Sequence, residues 1–183
     1  MFIFLVTYRA LEVQKFRRDE IVDLLDNIKE YMSINNIDNY KIIISEQNNN
    51  DAFNKGMLYN IAFLETEKKY KCFKRYIMIN VDYRFNKDIQ MPIEYLFSNN
   101  GFIDIYTVSR DIPILGGCCS VDPISFLLTN GFPNNIYGWG VNLGLTATPG
   151  FHVKNGKNYW LNITKDIFWY GTFSYALGTQ SND

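Results

Sequence analysis

Asp82 closes the triplet "NVD" at 80–82, at the end of an apolar run. A carboxylate at the mouth of a buried strand, joined by phosphate oxygens and water, is a donor set for Mg²⁺ or Mn²⁺. An aspartate that merely caps a loop gives the same pattern. "FNKG" at 53–56 opens a helix after a polar loop. The lysine and the N–H groups of a helix N-terminus suit a phosphate, and Phe53 suits the face of a base. The alternative is a core phenylalanine beside a solvated lysine. His152, the single histidine, belongs to the residue type that ligates metals and moves protons, and equally to ordinary loops. The segment "NGFPNNIYGWGVNLGL" at 130–145 is rich in glycine and asparagine and places a tyrosine and a tryptophan close together. It has the backbone of a built site and no acid or base.

The elements that must position these groups follow from periodicity. Residues 1–8, "MFIFLVTY", read as a buried strand. Over 14–36, Phe16, Ile21, Leu24, Leu25, Ile28, Tyr31 and Met32 recur at helical spacing. "YKIIISEQ" at 40–47 reads as a second buried strand, and 48–70 as a polar loop feeding a helix with Met57, Ile61 and Leu64 on one face. "RYIMINVDY" at 75–83 is a third strand. Further on, 102–109 and 112–121 read as strands. "DPISFLLTNG" at 122–131 reads as a short helix capped by Asp122, begun by Pro123 and ended at Gly131. The tail at 158–179 alternates aromatic and polar residues, as a hairpin does. Strand–helix–strand–helix–strand begins a parallel α/β sheet, whose ligands lie beyond the carboxyl ends of the strands. Tyr8, Arg9, Glu46, Gln47, Asn80 and Asp82 fall at those ends.

The bulk numbers narrow the class. A chain of 183 residues with 47% hydrophobic and 20% charged residues is expected to form one globular domain over 1–183. A net charge of -1 argues against nucleic acid or an anionic membrane surface as the main partner. Cys72, Cys118 and Cys119 form an odd, sparse set without metal spacing, which reads as buried thiols in a reducing compartment. The apolar run at the N-terminus is short for a signal peptide or a membrane span and lacks a basic leader, so no membrane anchor and a cytoplasmic location are expected.

In combination these motifs resemble the β-1,4-galactosyltransferase family, glycosyltransferase family 7. "VTYRAL" stands where that family has Pro-Phe-Arg-Asn-Arg, with Arg9 at the first arginine and Leu11 at the second. "SEQNNNDAFNKG" is similar to the family's Asn-Gln…Phe-Asn-Arg-Ala, and "NVD" to its Asp-Val-Asp. The longest match is "GGCCSVDPISFLLTNGFPNNIYGWG", similar to the family's GGVSALSKxQFLxINGFPNNYWGWG. The resemblance implies a GT-A fold, a mixed central sheet flanked by helices with a C-terminal hairpin. It implies a UDP-sugar donor, a glycan or other hydroxyl acceptor, and Mn²⁺ or Mg²⁺ as cofactor. Asp82 and His152 would hold the metal, with Asn80 at the motif's first aspartate and Pro149 near the family's methionine ligand. Tyr8, Arg9, Phe53, Lys55, Asp82 and Trp139 would bind the donor. Gly116, Gly117, Trp139, Gly140 and Asn142 would line the sugars.

After Trp-Gly the family continues with glycine and a run of acids, one of them the base that deprotonates the acceptor. Here Val141, Asn142, Leu143, Gly144 and Leu145 follow, and Leu143 occupies the base position. Loss of a general base costs about 10²–10⁴-fold in rate. Asp122 and Asp104 are the acids left to consider. The sequence therefore carries two functions forward. One is a metal-dependent transferase moving a galactose-type hexose from a UDP-sugar to a hydroxyl. The other is a catalytically degenerate relative that binds nucleotide-sugar or glycan without transfer.

Overall fold

The computed structural model describes residues 1–9, 16–49, 51–72, 74–106, 117–132, 134 and 137. Elements follow one another as β1 (Phe2–Tyr8), α1 (Phe16–Ile34), β2 (Tyr40–Glu46), α2 (Lys55–Lys69), β3 (Arg75–Ile79), α3 (Ile93–Ser98), β4 (Phe102–Tyr106), β5 (Cys118–Val121) and α4 (Pro123–Leu128). The strands form one five-stranded sheet in the order β2-β1-β3-β5-β4. β1 pairs in parallel with β2 and β3, and β5 runs antiparallel to both β3 and β4. The sheet is mixed, as expected of the class.

β1 lies inside the sheet, between β2 and β3, and all of its residues are buried. Its side chains alternate between two cores, as a strand covered on both faces requires. Ile3 and Leu5 pack with Tyr59, Ala62 and Phe63 of α2, with Tyr76 and Met78 of β3, and with Phe126 and Phe132. Phe2, Phe4, Val6 and Tyr8 pack on the other face with Leu24, Ile28, Tyr31 and Met32 of α1, and with Ile77 and Ile79. Each such side chain contributes about 1.5–3 kcal/mol by leaving water.

Three expectations are corrected. β2 is an edge strand, not a buried one: Glu46 is exposed and Ile44 is 43% exposed. On α2 the stripe Met57, Ile61 and Leu64 faces solvent at 42%, 43% and 51% exposure, and the opposite face meets the sheet. The reason is bulk: Tyr59 and Phe63 at helical spacing bury more apolar surface than the thinner stripe could. Cys118 and Cys119 are buried as expected, but Cys72 is exposed. α3, begun at Pro92, was not foreseen; an isolated proline before a short amphipathic run was its one sequence signal. The strand expected over 112–121 is described only from Cys118, and the C-terminal hairpin lies outside the described residues.

α4 agrees with its sequence signals. Asp122 caps it by accepting from the Ser125 N–H at 2.9 Å, and Pro123 opens it. Gly131 follows its end at φ 70°, a left-handed conformation that glycine adopts without a Cβ penalty. Among the described residues, no helix is long and apolar enough to cross a membrane.

Candidate functional site

The carboxyl ends of β1 and β3 and the N-terminus of α2 meet at one end of the sheet. The start of β5 joins them there, because Cys118 pairs with Ile79 at the last residue of β3. The Asn80 N–H donates to the Gly117 carbonyl at 2.8 Å, which fixes the "NVD" turn to that start.

Lys55 is the first residue of α2, and its ammonium donates to Asn80 Oδ1. It also stands 5.6 Å over the ring of buried Tyr59. Burial pulls the Lys55 ammonium down from its usual 10.5 to about 8, and Cys119 and Asp82 pull it part of the way back. Asp82 is exposed at the same turn. Arg9 follows β1, donates to the Asp51 carbonyl, and stands 5.6 Å over the Phe53 ring. Phe53 is half-buried. Folding thus brings Arg9, Phe53, Lys55, Asn80 and Asp82 to one end of the sheet.

The loop before α2 is held by its own amides. The Gln47 side chain accepts from the Asn54 N–H and donates to the Asp51 and Ala52 carbonyls. Asn54 caps α2 by accepting from the Met57 N–H, and its amide donates to the Asn134 carbonyl. Asn60 pairs with the backbone of Phe132 in both directions and reaches the Asn134 side chain. Hence the "NGFPNN" segment is tied to the first turns of α2, across more than seventy residues of chain.

On the far side of "NVD", the following segment is docked on α1. Asn27 accepts from the Phe85 N–H and donates to the Phe85 carbonyl, while Tyr31 stacks on Phe85 at 4.6 Å. The Arg84 guanidinium reaches the Glu20 and Val81 carbonyls. The role of Asn27 was not legible in sequence, because it is a single polar residue on an otherwise ordinary helix.

Two sequence-predicted residues part from the cluster. Tyr8 lies on the α1 face, opposite Arg9's side, in keeping with strand alternation. Its hydroxyl is buried without a hydrogen-bond partner. Asp122 is corrected as a catalytic candidate. It follows Val121, which pairs with Tyr76 near the start of β3, so it sits at the opposite end of the sheet from Asp82. One carboxylate oxygen caps α4 and the other accepts from the Gly101 N–H at 2.6 Å, with the Arg75 guanidinium 3.8 Å away. It is a structural anchor. Asp104 pairs with Cys119 within the sheet. Gly116, Trp139, Gly140, Asn142, Leu143 and His152 lie outside the described residues.

Among the described residues, no three His, Cys, Asp or Glu side chains converge as a ready-made metal cage. The exposed Asp82 carboxylate is a hard oxygen donor open on its solvent side, and it fits a divalent cation that completes its shell with phosphate oxygens and water.

Comparison with known proteins decides the ancestry. The N-terminal region of glycosyl transferase group 7 matches residues 5–92. The chain is 28% identical over 109 residues to human β-1,4-galactosyltransferase 2, covering 55% of this chain and 28% of that one. It is 33% identical over 125 residues to the β-N-acetyl-D-glucosaminide β-1,4-N-acetylglucosaminyl-transferase of Lymnaea stagnalis, covering 64% of this chain and 24% of that one. This chain is a divergent relative of the β-1,4-galactosyltransferase family. A Drosophila β-1,4-galactosyltransferase 7 mutant, in complex with manganese, UDP-Gal and xylobiose, matches with a TM-score of 0.62 at 20% identity. That match covers 79% of this chain and 58% of the other. The catalytic domain of the Drosophila enzyme with xylobiose matches with a TM-score of 0.57. The fold is GT-A. The chain spans only about a quarter to a third of the length of the curated relatives it matches.

Proposed function

We propose that this chain carries the donor site of a glycosyltransferase that moves a galactose-type hexose from a UDP-sugar to a hydroxyl of a glycan or other acceptor. The observation that carries the proposal is the meeting of Lys55, Asp82 and the Arg9–Phe53 pair at the carboxyl ends of β1 and β3. An ammonium and an exposed carboxylate at the same end of the sheet suit a metal-chelated diphosphate: Lys55 would pair with phosphate oxygens, and Asp82 would hold the cation. Phe53 offers a ring face to the uracil, with Arg9 beside it. Asp82, with His152 as second ligand, would hold Mn²⁺ or Mg²⁺, a cation that would supply positive charge beside the diphosphate. In this reading 1–183 is one GT-A domain.

A second reading keeps the site and drops the transfer. Asp122 is withdrawn to the far end of the sheet, and Leu143 stands at the family's base position, so no acid is identified as the base. Calorimetry with UDP, with and without Mn²⁺, tests the donor site. Metal-enhanced binding is expected, and no binding at millimolar UDP overturns both readings. Hydrolysis and transfer assays across UDP-hexoses then separate them: turnover supports the transferase, and binding without turnover on any donor supports the degenerate relative.

A further inference from the structure

The side chain that holds Lys55 is neutral where a carboxylate of the same size would fit. The Lys55 ammonium donates to Asn80 Oδ1. The reverse amide orientation would set donor against donor, so the two Nδ2 hydrogens lie on the far side of the amide. Among the described residues, Nδ2 donates to nothing and no carboxylate pairs with the ammonium. Asp82, Glu46 and Asp51, the acids at this end of the sheet, are exposed. An ammonium has three donors, and Asn80 takes one of them. Burial has also stripped Lys55 of water, and a desolvated cation without a counter-charge is costly. The turn beneath the pair is fixed by backbone alone. The Asn80 N–H donates to the Gly117 carbonyl at 2.8 Å, and the Tyr83 N–H donates to the Asn80 carbonyl at 3.2 Å.

An aspartate at position 80 would change both features. It would cancel the Lys55 charge, and it would replace the amide donors with acceptor oxygens. Phosphates would then face two carboxylates, at 80 and 82, and would need a cation between. With asparagine they meet an uncancelled ammonium and two amide donors. Resting on the donor site proposed above, we propose that the Lys55–Asn80 pair makes this site a receptor for the metal-free diphosphate of a nucleotide. Lys55 supplies the charge, and Asn80 holds it in place without neutralising it. A divalent cation at Asp82 strengthens binding but is not required for it.

The test titrates the parent, Asn80→Asp and Lys55→Gln with UDP, once in Mn²⁺ and once in a chelator. The parent should bind UDP in the chelator, with an affinity that falls as salt is raised. Asn80→Asp should weaken that metal-free binding about tenfold, the scale of one charge-assisted hydrogen bond. It should keep most of the binding in Mn²⁺, so the ratio of the two affinities rises about tenfold. Lys55→Gln should lose metal-free binding to a similar extent. A general structural role for Asn80 would weaken both conditions together, and an unchanged ratio in Asn80→Asp overturns the proposal. A parent that binds UDP only in Mn²⁺ also overturns it and leaves the donor site standing. Binding by the parent in neither condition overturns the donor site and this proposal with it. If Asn80→Asp does not fold, Lys55→Gln decides: undiminished metal-free binding in that variant overturns the proposal.

Discussion

The Lys55 ammonium, at the first residue of α2, donates to the side-chain oxygen of Asn80, at the end of β3. A neutral amide holds the lysine in place without cancelling its charge, so that charge remains for a ligand. The same arrangement leaves the ammonium largely desolvated, with a pKa of about 8.

Nucleotide binding should therefore depend on pH. Below about 8 the free site already carries the proton, and affinity is flat in this group. Above it the free lysine is neutral, and a diphosphate must restore the proton on binding. Affinity then falls with a limiting slope of about tenfold per pH unit. Calorimetry in two buffers of different ionisation enthalpy should register proton uptake near pH 9. Lys55→Arg, always charged, should abolish both effects. A parent whose affinity is level from pH 7 to 9.5 refutes the assignment. Stability moves in the opposite sense: the lowered pKa disfavours the charged form in the fold, so the fold gains stability as pH rises from about 8 toward 10.5.

Asp82→Ala should remove the metal-dependent part of UDP binding and leave the metal-independent part. The residue is exposed, so the substitution should change stability by no more than about 0.5 kcal/mol. Titration of both proteins with UDP, in Mn²⁺ and in a chelator, measures the difference. Equal metal enhancement in the two would dismiss Asp82 as the metal ligand.

Asp122 makes the contrasting case. Its carboxylate caps α4, receives the Gly101 N–H, and lies near Arg75, whose guanidinium also donates to the Asn99 and Gly101 carbonyls and to Ser120. Burial lowers the Arg75 pKa to about 10 against the pull of Asp122. Asp122→Ala strips the cap and leaves that buried cation less compensated, at a cost of about 3 kcal/mol. Denaturant unfolding should show the loss, while the folded fraction binds UDP as the parent does. A stable Asp122→Ala protein with impaired donor turnover would return Asp122 to the active site.

The sequence was legible where one local signal decided the outcome. β1 is a run of apolar residues, and β1 is buried throughout. Asp122, Pro123 and Gly131 punctuate α4, and the structure uses each in that role. The ends of β1 and β3 could be named as a crevice because the right-handed β–α–β rule leaves little choice. What could not be read depends on distant pairing. Lys55 and Asn80 are 25 residues apart, and Asn60 meets Phe132 across 72. Tyr83 meets Gly117 only because β5 turns back against β3. The side taken by Tyr8 followed from its alternation with Phe2, Phe4 and Val6 in β1, a parity that matters only once the helices are set on their faces.

α2 shows how periodicity can name a helix and miss its inner face. Met57, Ile61 and Leu64 form one apolar stripe, and Tyr59, Ala62, Phe63 and Thr66 lie across the helix from it. Both stripes recur every three or four residues, so spacing alone does not choose between them. The contacts do: Phe63 packs 4.8 Å from the Tyr76 ring and 4.2 Å from the Phe126 ring, while Leu64 is 51% exposed. Phe63→Ala should therefore cost about 3–5 kcal/mol through lost burial and the cavity left behind. Leu64→Gln, on the solvent face, should stay within about 0.5 kcal/mol of the parent. Midpoints from urea unfolding distinguish the two substitutions directly. If Leu64→Gln proves as damaging as Phe63→Ala, the outer face of α2 is covered in solution and the helix is buried on both sides.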